Sequence, residues 1–511
     1  MHNRTLFCFT CVVLSVIALS LLFSASLLAQ DTPDLQTTAG TEFWIAFQKN
    51  FRDFVEEGGN GSLKPAEPLQ QGLTICSEQS ASGYVEVPGI GFRQEFTLEP
   101  KKPIRIFLDP MVQITKDEIP VQLGVHVVAD NPVTVVSTSH RYQTTDSYLN
   151  FPVNVLGTRY RVMGYKWLAS DLLSQFAFVA TEDHTTVTIV PSVKTASGKE
   201  AEQPHTVTLD KGEVYQVLPE FNPSASSDLT GSLIESDKPL AVFSGHNCAY
   251  VPTNRYKACN ILIEQLPPTD SWGTRFVAVP LSERNSYVLR ILADRQGTIV
   301  SVNGKQVATL GAGDFYEMID VKENVEIVAS LPVMVAQYST GFTYNSAVAG
   351  EADSVGDPMM VLVPPTNSFL SLYNVVIPFD GSWANYVNIV IPVTGRESLR
   401  IDGKPVDLTK FVQIPSSRFV AASFELEGGT HRLEASKPFG VIQYGFGYER
   451  KIYDAYGNVG GMGFPARTIA PKEAEKVTDK PVQLKQTESD RPVEIEVRKT
   501  DAPIDKSGIE R

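Results

Sequence analysis

The sequence predicts an all-β protein built from tandem, repeated β-sandwich-like modules. The first observation behind this prediction is a recurring motif, in which an acidic or small residue precedes a proline and an apolar run follows it. We call this motif the Pro phrase. The phrase occurs four times, around Pro132, Pro239, Pro332 and Pro438, at intervals of 107, 93 and 106 residues. A period of this kind is typical of a repeated structural unit.

The second observation is the character of the segments between the prolines. Runs such as Thr185–Val190 and Tyr386–Ile391 are short and rich in β-branched residues, and Asn303-Gly304 and Asp402-Gly403 are two-residue hairpin signals. No window keeps apolar residues at helical spacing for long. Six or seven strands per repeat fit a β-sandwich better than a four-stranded propeller blade. A propeller-like or toroidal arrangement of the four modules remains an alternative.

The repeats divide the chain into four modules, preceded and followed by segments of a different kind. We place the modules at residues 31–145, 146–252, 253–345 and 346–466. Residues 1–30 have the pattern of a secretory signal peptide, with Arg4 before the apolar run Leu6–Leu28, and an uncleaved membrane anchor is the alternative. Residues 467–511 contain many charged residues and no aromatic ones, so we expect a disordered charged tail.

The charge and hydropathy of the chain limit its partners and location. A formal net charge of -14 without a Lys/Arg cluster argues against a nucleic-acid partner, because phosphate binding needs a concentrated basic surface. After the predicted signal peptide no apolar run approaches membrane-spanning length. We therefore expect an exported protein that is secreted, periplasmic or held at the cell surface, with no transmembrane span after cleavage.

The cysteines agree with export. Cys76, Cys248 and Cys259 follow the predicted signal peptide. Cys248 and Cys259 are close in sequence, and an exported chain meets oxidising conditions, so we predict a disulfide between them. Cys76 lies in an apolar run and is expected to be a buried free thiol in a strand.

The four modules differ most in the segments directly after each Pro phrase. Insertions at equivalent positions of a repeat fall on one face, which is often the binding face. These segments are rich in Tyr, Asn, Ser and Gly, the residue types of recognition surfaces, although solvated loops that merely tolerate insertion are the alternative. The candidate binding residues are His246, Asn247, Tyr250, Asn254, Arg255, Tyr256 and Tyr344.

Catalytic chemistry is not indicated by the same segments. Ser244 and His246 lie two residues apart on a predicted strand and lack an orienting acid. His246 with Cys248 and Cys259 offers three metal ligands, but a disulfide competes for both thiols. We therefore predict no enzyme activity.

A calcium loop is the weak cofactor candidate. Glu351, Asp353 and Asp357 supply carboxylate oxygens around a glycine, as a calcium loop would. Their spacing does not match the regular twelve-residue loop, and a solvated acidic loop is the alternative. We otherwise expect no cofactor.

Four segments together resemble a known family. They are GTEFWIAF from Gly40, TEDHTTVTIVP from Thr181, KPLAVFSGHNCAYVP from Lys238 and CNILIEQLPPTDSWGTRFVAVPL from Cys259. The chain from about Gly40 to Tyr448 is similar to the N-terminal domain family of IgG Fc-binding protein, and its short length and bacterial-looking signal indicate a stand-alone bacterial member. The resemblance implies an exported adhesive or binding module. It carries over the two cysteines and the loop between them, and no catalytic residues.

Two functions from different classes follow from these observations. The first is an exported, non-catalytic binding or adhesion protein that recognises a glycoprotein or glycan through the loops after the Pro phrase. The alternative is a structural component of the cell envelope or extracellular matrix that self-associates. Binding predicts clustered aromatic residues on one face, whereas assembly predicts exposed strand edges or apolar patches.

Overall fold

In the computed structural model of the protein, the described residues are 35–57, 62–166, 171–222, 227–256, 258–344, 355–378, 383–415, 417–447 and 453–465. The predicted signal peptide at 1–30 and the predicted tail at 467–511 lie outside these residues, so both remain predictions. Within the described residues, no helix has the length and apolar character needed to cross a membrane.

Four large sheets follow one another along the chain, and each contains one Pro phrase. The first sheet and the strands next to it comprise β1 (Gln36–Thr37), β2 (Gly40–Ile45), β3 (Phe54–Glu57), β4 (Ser62–Pro65), β5 (Gln70–Cys76), β6 (Ala81–Val87), β7 (Phe92–Leu98), β8 (Ile104–Leu108), β9 (Val125–Arg141) and β10 (Thr144–Leu149). The second comprises β11 (Gly157–Arg161), β12 (Ser174–Ala180), β13 (Thr185–Val190), β14 (His205–Leu209), β15 (Val214–Val217), β16 (Leu233–Ala249) and β17 (Asn260–Gln265).

The third and fourth sheets repeat this order of strands. The third comprises β18 (Gly273–Ala278), β19 (Tyr287–Ala293), β20 (Thr298–Val302), β21 (Lys305–Leu310), β22 (Phe315–Val321), β23 (Val325–Ser339) and β24 (Met360–Leu362). The fourth, with a final short strand, comprises β25 (Leu370–Ile377), β26 (Trp383–Pro392), β27 (Arg400–Ile401), β28 (Lys404–Pro405), β29 (Val412–Gln413), β30 (Phe419–Leu426), β31 (Gly429–Gly447), β32 (Ala455–Val459) and β33 (Gly463–Phe464).

Each module is organised around one long strand: β9, β16, β23 or β31. The first half of β9 pairs with β2 and β6, and its second half pairs with β5 and β10. The other three long strands divide their partners in the same way. Each module therefore consists of two antiparallel half-sheets that share one strand, which confirms the predicted tandem β modules.

The Pro phrase marks the point where the long strand changes partners. Along β9 the pairing jumps from Val128 opposite Glu42 to Val133 opposite Gly40, so the residues between them, including Pro132, form a bulge. Proline has no backbone N–H to contribute to a ladder, and it is tolerated at such bulges. The repeated proline therefore follows from the bend that lets one strand serve both half-sheets.

The acidic or small residue of the phrase has its own role in the bulge. The Asp130 carboxylate accepts the backbone N–H of Ser82 at 2.7 Å, and in the second module Asp237 accepts the N–H of Thr186 at 2.8 Å. Both donors lie at the start of the strand that pairs beside the bulge, in β6 and β13. A side chain thus supplies the acceptor that the bulged backbone does not.

The four modules close into a ring. The last large strands of the modules, β10, β17, β24 and β32, contact one another in a closed cycle. At the point of closure, β1 pairs with β33, with Gln36 opposite Phe464 and Thr37 opposite Gly463. The Phe464 ring also packs edge-to-face on Phe151, with 5.2 Å between centroids. The toroidal alternative therefore describes how the modules are arranged.

Strand pairing places the end of each module one strand beyond the long strand. The predicted boundary at 145/146 falls inside β10, which pairs with β9 through Leu149. In the same way β17 returns to β16 and ends at Gln265, and β24 returns to β23 and ends at Leu362. The segments that follow the Pro phrases thus begin as loops and finish as one more strand.

One carboxylate lies where all four modules meet. Asp146 on β10 is fully buried, and backbone N–H groups from every module point at its two oxygens. The donors are Ser147 at 2.9 Å, Ile263 at 3.2 Å, Gly457 at 3.1 Å and Met360. Because each donor is main chain, this acceptor fixes the positions of the four central strands relative to one another.

A second polar group at the ring centre is Asn260 on β17. Its amide nitrogen lies 2.7 Å from the carbonyl oxygens of Thr145 and Pro358 and 3.2 Å from that of Ala455. These carbonyls belong to the first, third and fourth modules. One side-chain amide nitrogen therefore links the second module to main-chain carbonyls of the other three.

The second and third modules are joined by a buried cation. Arg290 on β19 is 1% exposed and pairs with Asp228 at 2.7 Å and with Glu317 at 2.8 Å. Its guanidinium also lies 4.4 Å from the ring centroids of Tyr165 and Phe315. Although burial alone would raise the pKa of Asp228, Arg290 holds that pKa below its usual value.

We expect Asp146→Asn to lower the free energy of unfolding by about 2–4 kcal/mol, because an amide NH₂ would then face backbone donors in a buried site. The measurement is urea unfolding followed by tryptophan fluorescence. The matched control is Asp237→Asn, an exposed acceptor for a single N–H, whose effect should stay below about 1 kcal/mol. Equal midpoints for the two variants would contradict the central role of Asp146.

Candidate binding face

Three of the segments that follow the long strands contact one another. We call the described residues 142–143, 250–256, 258–259, 340–344, 355–359 and 453–454 the loop face, and 257, 345–354 and 448–452 lie outside the described residues. The backbone N–H of Gly341 donates to the Val251 carbonyl at 2.7 Å, and the rings of Phe342 and Tyr453 lie 3.8 Å apart. The second, third and fourth loops are therefore linked in order around the ring.

The predicted disulfide is present in the second loop. Cys248 and Cys259 are bonded, with their Cα atoms 5.2 Å apart. The bond joins the end of β16 to the residue before β17, so it closes the loop at its base. Cys76 is a buried free cysteine, and burial raises the pKa of its thiol to about 12.

His246 lies below the loop face, inside the second module. Its side chain is buried, and its Nδ1 atom accepts the backbone N–H of Cys248 at 3.1 Å. Burial lowers the pKa of its imidazole to about 3, so the ring is neutral at physiological pH. This hydrogen bond lies at the end of β16, where the pairing with β17 shifts register between His246 and Ala249.

Asn247 connects the second loop to its surroundings. Its Oδ1 atom accepts the N–H of Leu173 at 2.7 Å, and its Nδ2 atom donates to the Asp171 carbonyl at 3.2 Å. Its own carbonyl accepts the N–H of Phe51 from the first module at 2.8 Å. Asn247 is 6% exposed, so its polar atoms act within the protein and support the loop from below.

The remaining sequence-predicted binding residues lie at the surface. Asn254 and Arg255 are exposed, and Tyr250 and Tyr256 are half-buried. The Tyr256 ring packs edge-to-face on Tyr344 of the third loop, with 4.7 Å between centroids and an interplanar angle of 88°. The structure thus brings together an aromatic pair from two modules with an exposed amide and an exposed guanidinium.

Tyr344 is oriented from the other side by the third module. Burial raises the pKa of its hydroxyl, and the neighbouring Asp320, which is hydrogen-bonded to it, raises it further. The hydroxyl is also within bonding reach of Ser286. Because its ring and its hydroxyl are both held, Tyr344 is a rigid part of the face.

A buried arginine holds the two ends of the third loop. Arg284 donates through its guanidinium to the carbonyls of Thr340 and Val355, on either side of residues 345–354. Its guanidinium also lies 5.4 Å from the centroid of the Phe446 ring. The described ends of this loop are therefore held to the body of the third module by one side chain.

The calcium candidates divide between described and undescribed residues. Glu351 and Asp353 lie outside the described residues. Asp357 is fully buried, and burial with the nearby Asp454 raises the pKa of its carboxyl. No group of three His, Cys, Asp or Glu side chains suited to a metal ion occurs among the described residues.

Ser244 and His246 do not form a nucleophile and base. The Ser244 hydroxyl is buried and donates to the Gln175 carbonyl at 3.2 Å. The His246 Nδ1 atom is occupied by a backbone N–H, as described above. Their positions in the core of β16 agree with a structural role for both.

Sequence reasoning missed the buried acids Asp146, Glu264 and Asp454, and it considered Asp357 only as a calcium ligand or part of a solvated loop. All four side chains are buried. Burial raises the pKa of each carboxyl, to about 8 for Asp454. The signal that could have found Glu264 is an acid within the apolar run before Pro267, since such a residue needs buried partners.

We expect the double variant Cys248→Ser with Cys259→Ser to have a free energy of unfolding about 3 kcal/mol lower. Without the bond between two residues that are 11 positions apart, the unfolded chain gains conformational entropy. Urea unfolding measures the change. The control is the wild type in reducing buffer, where the same bond is opened without a change of residue. If the double variant had the same free energy of unfolding as the wild type in non-reducing buffer, the bond would have no stabilising role.

The stability of the ring should fall as pH rises through the titration of Asp454. Its folded pKa, about 8, lies above the ordinary value of 3.8, so protonation favours the folded state. This contribution is complete below about pH 4 and is lost as pH rises toward 8, at up to about 1.4 kcal/mol per pH unit. Asp454→Asn should therefore show a shallower decline than wild type between pH 5 and 8.

Urea unfolding at a series of pH values measures that difference. Asp237→Asn, at an exposed carboxylate, provides the control and should keep the wild-type slope. Parallel pH profiles for wild type and Asp454→Asn would contradict the prediction, because they would mean that Asp454 titrates at the same pH in the folded and the unfolded chain.

Comparison with known proteins identifies the family of the chain. Residues 146–445 match the IgGFc binding protein family. The IgGFc-binding protein of Homo sapiens is 26% identical over 427 residues, which cover 81% of this chain and 7% of the human protein. This chain therefore spans a small part of that relative.

A solved structure was also matched, a tetra-tandem repeat in the extending region of a large adhesion protein. It is 10% identical, and the match covers 79% of this chain and 93% of that chain. The TM-score of 0.09 is too low to indicate a shared fold. The family match covers more than half of the chain, and it includes the disulfide, the second and third long strands and most of the fourth. The chain belongs to the IgGFc binding protein family.

Proposed function

We propose that this chain is an exported, non-catalytic binding or adhesion protein that recognises a glycoprotein or glycan through the loop face. Membership of a binding-protein family supports the general class. The disulfide supports an oxidising location outside the cytoplasm. The human relative is named for binding IgG Fc, and a glycoprotein partner of this kind is part of the proposal.

The observation that carries the proposal is the aromatic pair Tyr256 and Tyr344 beside Asn254 and Arg255. Tyrosine and arginine are the residue types that dominate the binding energy of protein interfaces. A tyrosine ring offers a large contact area with little loss of conformational entropy, and asparagine offers adaptable hydrogen bonds. Here they come from two modules and form one small surface.

The support beneath this surface also favours recognition. The disulfide, Asn247 and Arg284 each fix main chain at the base of a loop. A loop held at its base loses less conformational freedom on binding than an unrestrained one, so more of the contact energy appears as affinity. The candidate surface is therefore organised before a partner arrives.

A further exposed group extends the candidate surface toward the first module. Tyr142, in the first loop, is 53% exposed, and the nearby β3–β4 hairpin carries Phe54 and Leu63 at 58% and 69% exposure. Asp53, next to Phe54, lies 3.7 Å from Arg141, which connects the hairpin to the end of β9. Exposed apolar residues that cluster beside candidate binding loops are typical of interaction sites.

Self-association as a structural component is the second candidate. The terminal strands β7 and β21 of the first and third sheets are largely exposed, and their outer edges are a means of pairing chains. These strands carry charged residues, among them Arg93, Glu95 and Lys305, which disfavour edge-to-edge pairing. Recognition through the loop face is therefore the better supported function.

The test is binding of the full exported chain to immobilised human IgG Fc and to a panel of glycoproteins and glycans, measured by biolayer interferometry. We expect saturable binding to at least one of them, and at least about thirtyfold weaker binding after Arg255→Ala combined with Tyr256→Ala. Arg396→Ala, remote from the loop face, is the control and should bind as wild type does.

Two outcomes would overturn the proposal. If the loop variant bound its ligand as tightly as wild type, recognition would lie elsewhere on the chain. If no ligand bound and sedimentation showed concentration-dependent self-association, the structural function would replace it.

A further inference from the structure

A separate cleft lies between the first and fourth modules. It has a volume of about 260 Å³ and is formed by the outer face of β5, β8 and β9 together with Pro378 of the fourth module. It includes none of the loop-face residues named above. Its size suits a single monosaccharide, since sites for larger organic ligands range from roughly 300 to 1,000 Å³.

The floor and one wall of the cleft are Gly72 and Phe107. Phe107 is 62% exposed although it is a large apolar residue on a regular strand. A Cβ atom at Gly72 would lie 3.5 Å from the Phe107 ring, so the absence of a side chain there leaves one part of the ring uncovered. Glycine inside a strand often marks a point where a ligand approaches closely.

Arg105 supplies the charge of the cleft. It lies two residues before Phe107 on β8, so both side chains point to the same outer face. None of the described residues that line the cleft is acidic, and Arg105 takes part in no ion pair with the described chain. An exposed guanidinium without a carboxylate partner is suited to a bidentate bond with a carboxylate on a ligand.

Neutral polar groups line the rest of the cleft. Thr74 and Thr138 present hydroxyl-bearing side chains from β5 and β9, and Gln70 lies at the beginning of β5. His140 also lines the cleft, and its Nδ1 atom is 2.6 Å from the Thr145 hydroxyl. Burial lowers the pKa of His140, so a neutral imidazole faces the site at physiological pH.

We propose that this cleft binds a single acidic pyranose, with Arg105 holding the carboxylate of the sugar and Phe107 packing against its ring. The threonine and glutamine side chains then bond to the sugar hydroxyls, since hydroxyls and amides both donate and accept. A uronic acid and a sialic acid share this chemistry. The inference rests on the proposed function in one respect, because the sugar would belong to a bound glycoprotein, but the cleft is separate from the loop face.

The test is isothermal titration of the full chain with three free sugars: glucuronic acid, N-acetylneuraminic acid and neutral glucose. We expect one of the two acids to bind at least about tenfold more tightly than glucose, because the charge-assisted bond to Arg105 is missing for the neutral sugar. The two acids distinguish a uronic acid from a sialic acid.

Three variants connect the result to the cleft. Arg105→Gln should reduce acid binding to the level of glucose, and Gly72→Ala should weaken binding by placing a methyl group at the floor. Gly72 has no positive φ and an added Cβ meets nothing closer than 3.4 Å, so the alanine variant is expected to fold. Lys102→Gln, an exposed cation of the same module outside the cleft, should bind as wild type does.

The proposal is overturned if neither acid binds saturably, or if Arg105→Gln binds the acid as well as wild type does. A negative sugar titration leaves glycoprotein binding through Tyr256 intact, because that binding is measured separately with whole glycoproteins. Conversely, loss of glycoprotein binding in the loop variant, with sugar titration unchanged, separates the two sites.

Discussion

The hydrogen bonds to the carboxyl group of Asp146 are the interaction on which the rest of the architecture depends. This group receives backbone N–H groups from all four modules, so the central strands cannot shift in register without leaving a buried donor unpaired. Asn260 adds a donor directed at carbonyls of three modules, and Arg290 joins two modules further from the centre. The hydrophobic cores stabilise the modules, and these polar groups define their relative positions.

The fixed centre explains how the loop segments acquire a common surface. Each segment begins at the end of a long strand and continues into a central strand of the ring. The positions of its two ends are therefore fixed by these strands. Cys248–Cys259, Asn247 and Arg284 restrain the chain near these ends through a covalent bond and main-chain hydrogen bonds. Side chains between the restrained points can differ among modules without disturbing the fold. The scaffold and the candidate recognition surface are therefore largely independent.

The sequence predicted the repeated part of the molecule better than its centre. Pro132 and its counterparts marked the bends because proline and the preceding acid act locally, and Cys248 and Cys259 were close enough in sequence to be paired. Three of the four partners of Asp146 were not predictable, since they are backbone atoms of other modules, more than 100 residues away. The polar run that begins at His246 made it a candidate binding residue, yet β16 continues to Ala249 and buries its side chain. Sequence reasoning identified the half-buried Tyr256 and Tyr344, but their contact could not be predicted because it depends on how the ring places two modules side by side.

The pairing of β1 with β33 determines how the ring responds to mechanical tension. Because Gln36 lies opposite Phe464 in an antiparallel pair, the chain enters and leaves the ring at the same end of that pair. A pulling force applied through the two flanking segments would load its hydrogen bonds one after another, as in unzipping, and not all together in shear. The closure would thus yield first, while the disulfide holds the second loop closed. A chain of this design would extend under load by opening its ring before it lost a module.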